Sequence, residues 1–184
     1  MISKIAGWTG SAWRKIRSDA YGNSMGVIER AHHAIHDGNH YFIAGYDELD
    51  NGNTTIFAVT APSSAKRIHM TFAYSANKSY TLQVYEDADV TGGSNATLVN
   101  NDRNSANTSE LTVVKNPTVN DLGNLLEEVK IGPSGKKFSG TEDINRENEM
   151  ILKAGSTYIY KITANEDACV LAYKGYWYEI EESP

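Results

Sequence analysis

The chain has 184 residues, 40% of them apolar and 22% charged, which is the composition of a soluble globular protein of one domain. Its formal net charge of −6 argues against a bulk attraction to nucleic acid or to anionic lipid, so neither is expected as a partner. No apolar run approaches the roughly 18 residues of a membrane-spanning helix, and the single cysteine excludes an intrachain disulfide framework.

The first 17 residues contain four basic residues and no acidic one. Two tryptophans lie in the same stretch, which lacks the long apolar core of a signal peptide. Because interfaces favour Trp and Arg, residues 1–22 are predicted to form a basic arm ahead of a domain spanning residues 23–184. Either the tryptophans fold back onto the chain's own core or the arm docks on a partner. The candidate partner-binding residues are Trp8, Trp13, Arg14, Lys15 and Arg17.

Residues 25–37 show the apolar spacing of a short helix, and Gly38 follows as a stop signal. The histidines His32, His36 and His40 recur at intervals of four, and imidazoles one helical turn apart can share a metal ion. Since Gly38 should end the helix before His40, we interpret them as polar-face and capping groups. Metal binding by this cluster stays open as the alternative.

From residue 40 onward, apolar and polar residues alternate in short runs, the period-two pattern of half-buried strands. The predicted strands are 40–45, 54–60, 67–75, 80–86, 97–99, 111–114, 125–131, 147–152, 157–163 and 169–180. The dipeptide Asn51-Gly52 predicts a hairpin between the first two strands. So many strands normally pack as two sheets. We predict an all-β, antiparallel, jelly-roll-like β-sandwich with one short helix, and an immunoglobulin-like sandwich is the alternative.

Two regions are candidates for contacts between subunits. Residues 87–124 are rich in Asn, Ser and Thr, which is typical of an exposed loop, and Arg103 and Asn104 lie at its polar centre. The last predicted strand carries Tyr176 and Trp177, which can anchor either the core or a subunit contact. In the same strand, Cys169 is interpreted as a small buried hydrophobe rather than a reactive thiol.

The sequence shows no G-x-S-x-G nucleophile elbow, phosphate-binding loop or dinucleotide fingerprint. Carboxylates for glycoside hydrolysis could come from Glu127, Glu128, Glu147 and Glu149. No feature selects a pair among them, and a charged strand face predicts the same residues. We therefore predict a protein that is not an enzyme and that uses neither a cofactor nor a metal.

Several segments together resemble the capsid decoration, or auxiliary head, proteins of tailed bacteriophages. They are Ala31–Phe42, His69–Phe72, Val84–Glu86 followed by Thr91–Gly93, Asn100–Ser109 and Tyr176–Glu179. The likeness spans about residues 20–180, and its motifs are structural rather than catalytic.

This resemblance implies a β-sandwich that binds the major capsid protein on the outer surface of the assembled head. It also implies a homotrimer at local three-fold positions, and synthesis in the host bacterial cytoplasm before incorporation into the virion. The alternative is a tail- or neck-associated protein that binds a receptor or glycan through exposed aromatic residues such as Tyr46 or Tyr176.

Overall fold

The computed structural model describes residues 6–8, 13–15, 30–64, 66–132 and 149–181. Within these ranges the chain forms fifteen strands and one helix, α1 (Arg30–His36). The strands are β1 (Ala6–Trp8), β2 (Trp13–Lys15), β3 (His40–Leu49), β4 (Thr54–Thr60), β5 (Lys66–Ala76), β6 (Tyr80–Glu86), β7 (Asp89–Thr91), β8 (Ser94–Asn95), β9 (Val99–Asn100), β10 (Thr112–Lys115), β11 (Thr118–Asp121), β12 (Asn124–Ile131), β13 (Met150–Leu152), β14 (Thr157–Ala164) and β15 (Cys169–Glu181).

Two large sheets make up most of the described chain. One has five strands in the order β13–β5–β15–β3–β9, and the other has six in the order β12–β6–β14–β4–β10–β8. Two small pairs, β1 with β2 and β7 with β11, account for the remaining strands. All these pairings are antiparallel. The prediction of an all-β, antiparallel, sandwich-like fold is therefore confirmed.

From β3 to β6, successive long strands alternate between the two sheets, whereas β6 and β12 pair with each other in the six-stranded sheet. Strand β3 belongs to the five-stranded sheet and β4 to the six-stranded one, so the predicted hairpin at Asn51-Gly52 is wrong. The turn itself is present: Gly52 has a φ of +81°, and its N–H donates to the carbonyl of Ala164 at 2.9 Å. Turn chemistry reverses the chain locally, but it does not decide which strand becomes the hydrogen-bonded neighbour. Among the described strands, only β1 and β2 are consecutive and paired.

Aromatic side chains from both large sheets fill the space between them. The ring of Phe57 in β4 lies 5.4 Å from that of Phe72 in β5, and Phe72 lies 4.9 Å from Tyr160 in β14. Trp177 in β15 is fully buried, and its ring lies 5.9 Å from that of Tyr41 in β3. Ring pairs at these separations add to the free energy gained by burying their area. The result is one hydrophobic core shared by the two sheets.

Helix α1 ends where the sequence predicts, while residues 25–29 of the predicted helix lie outside the described residues. The N–H of Gly38 donates to Ile35 at 3.0 Å and that of Asn39 donates to Ala34 at 2.8 Å, closing the last turn. Gly38 has a φ of +69°, the left-handed conformation that glycine adopts at helix ends. Ala34 is buried where the helix packs against β3 and β15.

In the part of the chain that the structure describes, no helix has the length and apolarity needed to span a membrane.

Candidate functional site: the outer face of the five-stranded sheet

Three rings form a row across the five-stranded sheet. Tyr178 in β15 pairs in register with His40 in β3 on one side and with His69 in β5 on the other. Directly opposed residues of antiparallel strands share a face of the sheet. The ring of His69 stacks on Tyr178 at 4.6 Å, and that of His40 stacks on it at 6.3 Å. The row lies on the face opposite the core.

Glu149 holds one end of this row in place. Its Oε1 atom lies 2.5 Å from Nδ1 of His69 and accepts a 2.9 Å hydrogen bond from the hydroxyl of Tyr178. Because Nδ1 faces a carboxylate, it carries the proton of the imidazole, and Nε2 presents a lone pair when the ring is neutral. His69 is only 7% exposed, and its Nε2 has no hydrogen-bond partner among the described residues.

A second row lies next to the first on the same face. Tyr176 in β15 is in register with Phe42 in β3 and with Thr71 in β5. The ammonium group of Lys174 lies 4.7 Å from the ring centre of Tyr176, within the range of a cation–π contact. We call these two rows with Lys174 the aromatic face; its members are His40, Phe42, His69, Thr71, Lys174, Tyr176 and Tyr178.

A cavity of about 220 Å³ opens on the aromatic face. Its polar lining includes His69, Thr71 and Glu149, and Tyr176 supplies part of an aromatic wall. Such a mixture of ring surface and converging polar groups suits contact with a protein side chain or with a sugar-sized ligand. Tyr176 was predictable from the sequence as a contact residue, whereas Phe42 and His69 were not, because the outward-facing residues of a strand resemble a solvated surface until the neighbouring strands are known.

Of the predicted inter-subunit residues, Trp177 alone is buried in the core. Its side chain is 0% exposed, and its indole N–H donates to the hydroxyl of Ser109 at 3.0 Å. Tyr176 and Trp177 are consecutive residues of β15, so their side chains point to opposite faces of the sheet. The prediction of a subunit contact is therefore wrong for Trp177 and remains a prediction for Tyr176, which is half-buried.

Arg103 and Asn104 are exposed, as predicted, in a loop that is fixed at both ends. At its start, the Asn100 amide donates to the carbonyl of Gly38 at 2.8 Å and to that of Asn107 at 3.2 Å. The N–H of Asn104 bonds the carboxylate of Asp102 at 2.9 Å. The loop therefore presents Arg103 and Asn104 on an ordered backbone, beside the C-terminus of α1.

The other end of this loop is anchored by a buried carboxylate. Glu179 is 1% exposed, and its Oε1 accepts hydrogen bonds from the Ser109 hydroxyl at 2.6 Å and from the Glu110 N–H at 3.0 Å. Lys66 lies 3.6 Å from Oε2 of Glu179 and 2.7 Å from Glu110. The hydrogen bond with Glu110 is the main reason that the pKa of Lys66 lies above its usual value. Buried charge at this position is thus paired and hydrogen-bonded, as burial requires.

The predicted arm contains the antiparallel strand pair β1 and β2. The register of β1 and β2 pairs Trp8 with Trp13, Gly7 with Arg14 and Ala6 with Lys15. Arg17, the remaining candidate of the arm, lies outside the described residues. The role of these five residues in partner binding stays a prediction.

The predicted histidine cluster is divided by the end of the helix. His32 and His36 are exposed on α1, with their Nε2 atoms 3.1 Å apart. His40 belongs instead to the aromatic face. Within the residues that the structure describes, no three His, Cys, Asp or Glu side chains are grouped closely enough to hold one metal ion.

The side chains of Lys115 and Cys169 contribute to the packing of the fold and lie away from the aromatic face. Lys115 in β10 lies 2.5 Å from Asp47 and 3.2 Å from the Tyr173 hydroxyl, so it ties the two sheets together. Burial alone would lower the pKa of Lys115, but these hydrogen bonds outweigh it and leave the pKa above its ordinary value.

Cys169 is buried, as predicted, and burial raises the pKa of its thiol. A protonated buried thiol is a poor nucleophile.

Comparison of the chain with protein-family models, with curated proteins and with solved structures found no match.

Proposed function

We propose that the chain is a non-enzymatic structural protein of a tailed-bacteriophage virion, a capsid decoration protein that binds the outer surface of the assembled head. The assignment to the virion rests on the sequence resemblance. The structural observation that supports a binding role is the aromatic face, in which the half-buried rings of Phe42 and Tyr176 and the exposed Lys174 lie beside the buried rings of His40, His69 and Tyr178. Rings held in place by cross-strand stacking offer contact area at a low entropic cost on binding.

The strand order also supports this proposal. Leaving out the short strands, the five-stranded sheet follows the order β3–β15–β5–β13 and the six-stranded sheet the order β4–β14–β6–β12. Apart from β6 and β12, which pair in the six-stranded sheet, consecutive strands of this set alternate between the two sheets, as in a jelly roll, and jelly rolls are common in viral capsid and lectin domains. The jelly-roll assignment is part of the proposal.

In this proposal the aromatic face joins subunits of a homotrimer. Tyr and Phe are enriched in the centre of protein interfaces, and Tyr176 with Phe42 would lie there. Lys174, at the edge of the ring cluster, would contact the acidic surface of a neighbouring copy, since the chain carries a net charge of −6. Arg103 and Asn104 would add polar contacts from the ordered loop.

The basic arm would then reach the major capsid protein. Residues 1–17 contain no acidic residue, whereas the whole chain is acidic, so the arm is the part suited to an acidic patch on the shell. Three arms per trimer would act together, which allows each arm to bind weakly. Symmetry would repeat these contacts over the whole head.

A second function is favoured by the cavity on the aromatic face. Its volume of about 220 Å³, the ring of Tyr176 and the unpartnered lone pair of His69 suit a saccharide hydroxyl held against an aromatic ring. Tyr46, which is 67% exposed, would extend this platform. On this alternative the protein is a tail- or neck-associated receptor-binding protein.

The proposal is tested by co-sedimentation with purified heads that lack decoration. The full chain should pellet with heads at a saturating ratio of hundreds of copies per head, and a chain lacking residues 1–17 should stay in the supernatant. Circular dichroism should show the same β-rich spectrum for both chains. Failure of the full chain to pellet would overturn the head assignment. Pelleting of the shortened chain would overturn the role of the arm, and a ratio of only a few copies per head would favour the receptor-binding alternative.

A further inference from the structure

Helix α1 carries two histidines whose ring nitrogens face each other. His32 and His36 lie one turn apart on the exposed side of the helix, and their Nε2 atoms are separated by 3.1 Å. Neither ring belongs to the aromatic face or to the core. A neutral imidazole nitrogen is also among the preferred ligands of divalent transition metals.

Each ring turns its Nε2 atom toward the other ring. The centroids are 4.8 Å apart and the Nε2 atoms 3.1 Å apart, which is within hydrogen-bond distance. A cation at a normal metal–imidazole distance of about 2.1 Å from both nitrogens would subtend an N–metal–N angle of about 95°. Such an angle is close to that of octahedral and tetragonal sites, the geometries of Ni²⁺ and Cu²⁺.

We propose that His32 and His36 form a two-histidine chelating site for a divalent transition-metal cation of the Ni²⁺ and Cu²⁺ class. Water completes the coordination, because both side chains are exposed. The nearest other histidine on the helix is already paired, since His33 lies 2.6 Å from Asp37. The site therefore has two protein ligands, and hard cations such as Mg²⁺, which prefer oxygen, should not occupy it.

Occupation of the site would also stabilise the helix. The cation would join positions one turn apart in a helix of only seven residues, which has few internal hydrogen bonds of its own. A ligand that binds only the folded state raises the apparent stability. This inference depends on the helix geometry and not on the proposed role in the virion.

The test uses the untagged full chain, metal-free, titrated with NiCl₂ in an isothermal calorimeter. The variants are His32→Ala, His36→Ala and, as the matched control, His33→Ala, which removes an exposed histidine from the same helix. One equivalent of Ni²⁺ should bind the original chain and His33→Ala with affinities within about twofold of each other. His32→Ala and His36→Ala should each weaken binding by about tenfold or more, because the second ligand of the chelate is lost. MgCl₂ should give no binding heat.

Paramagnetic Ni²⁺ provides a second readout that does not depend on the variants folding equally well. In the original chain, substoichiometric Ni²⁺ should broaden the NMR signals of His32 and His36 before those of His40 and His69. The proposal is overturned by an absence of Ni²⁺ binding at millimolar concentration. It is also overturned if His33→Ala weakens binding as much as His32→Ala does, or if the signals of other histidines broaden first.

Discussion

The hydroxyl of Ser109 donates a 2.6 Å hydrogen bond to the carboxylate of Glu179, joining the end of an exposed loop to the buried end of β15. The same oxygen accepts the indole N–H of Trp177 at 3.0 Å. A single hydroxyl thus connects the loop that carries Arg103 and Asn104 to the centre of the core. The surface presented by this loop depends on a buried polar contact.

The first prediction concerns Ser109. Replacing Ser109 with Ala leaves a buried carboxylate and an indole N–H short of partners, and it should lower the free energy of unfolding by about 1–3 kcal/mol. Urea unfolding followed by tryptophan fluorescence measures this change. Ser63→Ala, at an exposed position, is the control and should change stability by less than about 0.5 kcal/mol. Equal stability of the two variants would contradict the anchoring role of Ser109.

The second prediction compares two glycines that share a left-handed backbone. A Cβ atom at Gly38 would lie 2.7 Å from Cβ of Ser105, whereas nothing lies within 4 Å of the same atom at Gly52. Gly52→Ala should therefore cost only the backbone strain, about 1 kcal/mol, and Gly38→Ala should cost at least about 1 kcal/mol more.

Thermal unfolding of the two alanine variants measures the difference. Hydrogen exchange should also become faster at Asn101 and Ser105 in Gly38→Ala, because the loop must move away from the helix end. Similar melting temperatures for both variants would show that the loop does not pack closely on Gly38.

The third prediction concerns alkaline pH. Burial, followed by the hydrogen bond to Glu86, raises the pKa of Tyr158 to about 12. The ordinary value is about 10. Because the folded-state pKa is the higher one, the contribution of Tyr158 to stability is complete below pH 10 and is lost as the pH rises toward 12.

Tyr158→Phe should therefore show a shallower loss of stability between pH 10 and 12 than the original chain. Some slope should remain, since burial also raises the pKa of Tyr160. Guanidinium unfolding at intervals across this range gives the slope. Tyr46→Phe, which alters a phenol that is 67% exposed, should keep the original slope. An unchanged slope in Tyr158→Phe would contradict the assignment.

The fourth prediction addresses the proposed trimer. Sedimentation velocity should give a mass of three times 20.2 kDa for the original chain, and Tyr176→Ser should shift it toward the monomer. The reason is that Tyr176 lies at the centre of the aromatic face, where the loss of a ring removes most contact area. Tyr46→Ser, at an exposed tyrosine outside the two rows, should remain trimeric. A trimer that survives Tyr176→Ser would place the subunit contact elsewhere.

Much of the fold follows from local patterns. The period-two alternation located the long strands, and the glycines around residues 125–131 correctly favoured a strand, β12, over a helix. Gly38 marked the end of α1. The partner of each strand was not predictable in this way, as the turn at Asn51-Gly52 shows, because sheet assignment depends on contacts between residues distant in sequence.

The candidate site was harder to predict from the sequence than the fold, for a reason that the residues of β15 illustrate. Its inward phase contains Gly175 and the charged Glu179, whereas its outward phase contains Tyr176 and Tyr178. Hydrophobicity alone therefore does not separate the two faces. The stacking of Tyr178 on His69 arises only when β5 and β15 lie side by side, and no local signal encodes that pairing.

Electron cryomicroscopy of undecorated heads mixed with the purified full chain tests the central claim most directly. We predict added density on the outer surface of the shell, at local three-fold positions, with a volume that fits three β-sandwiches. Heads that show no added density at saturating protein would contradict the assignment to the capsid surface.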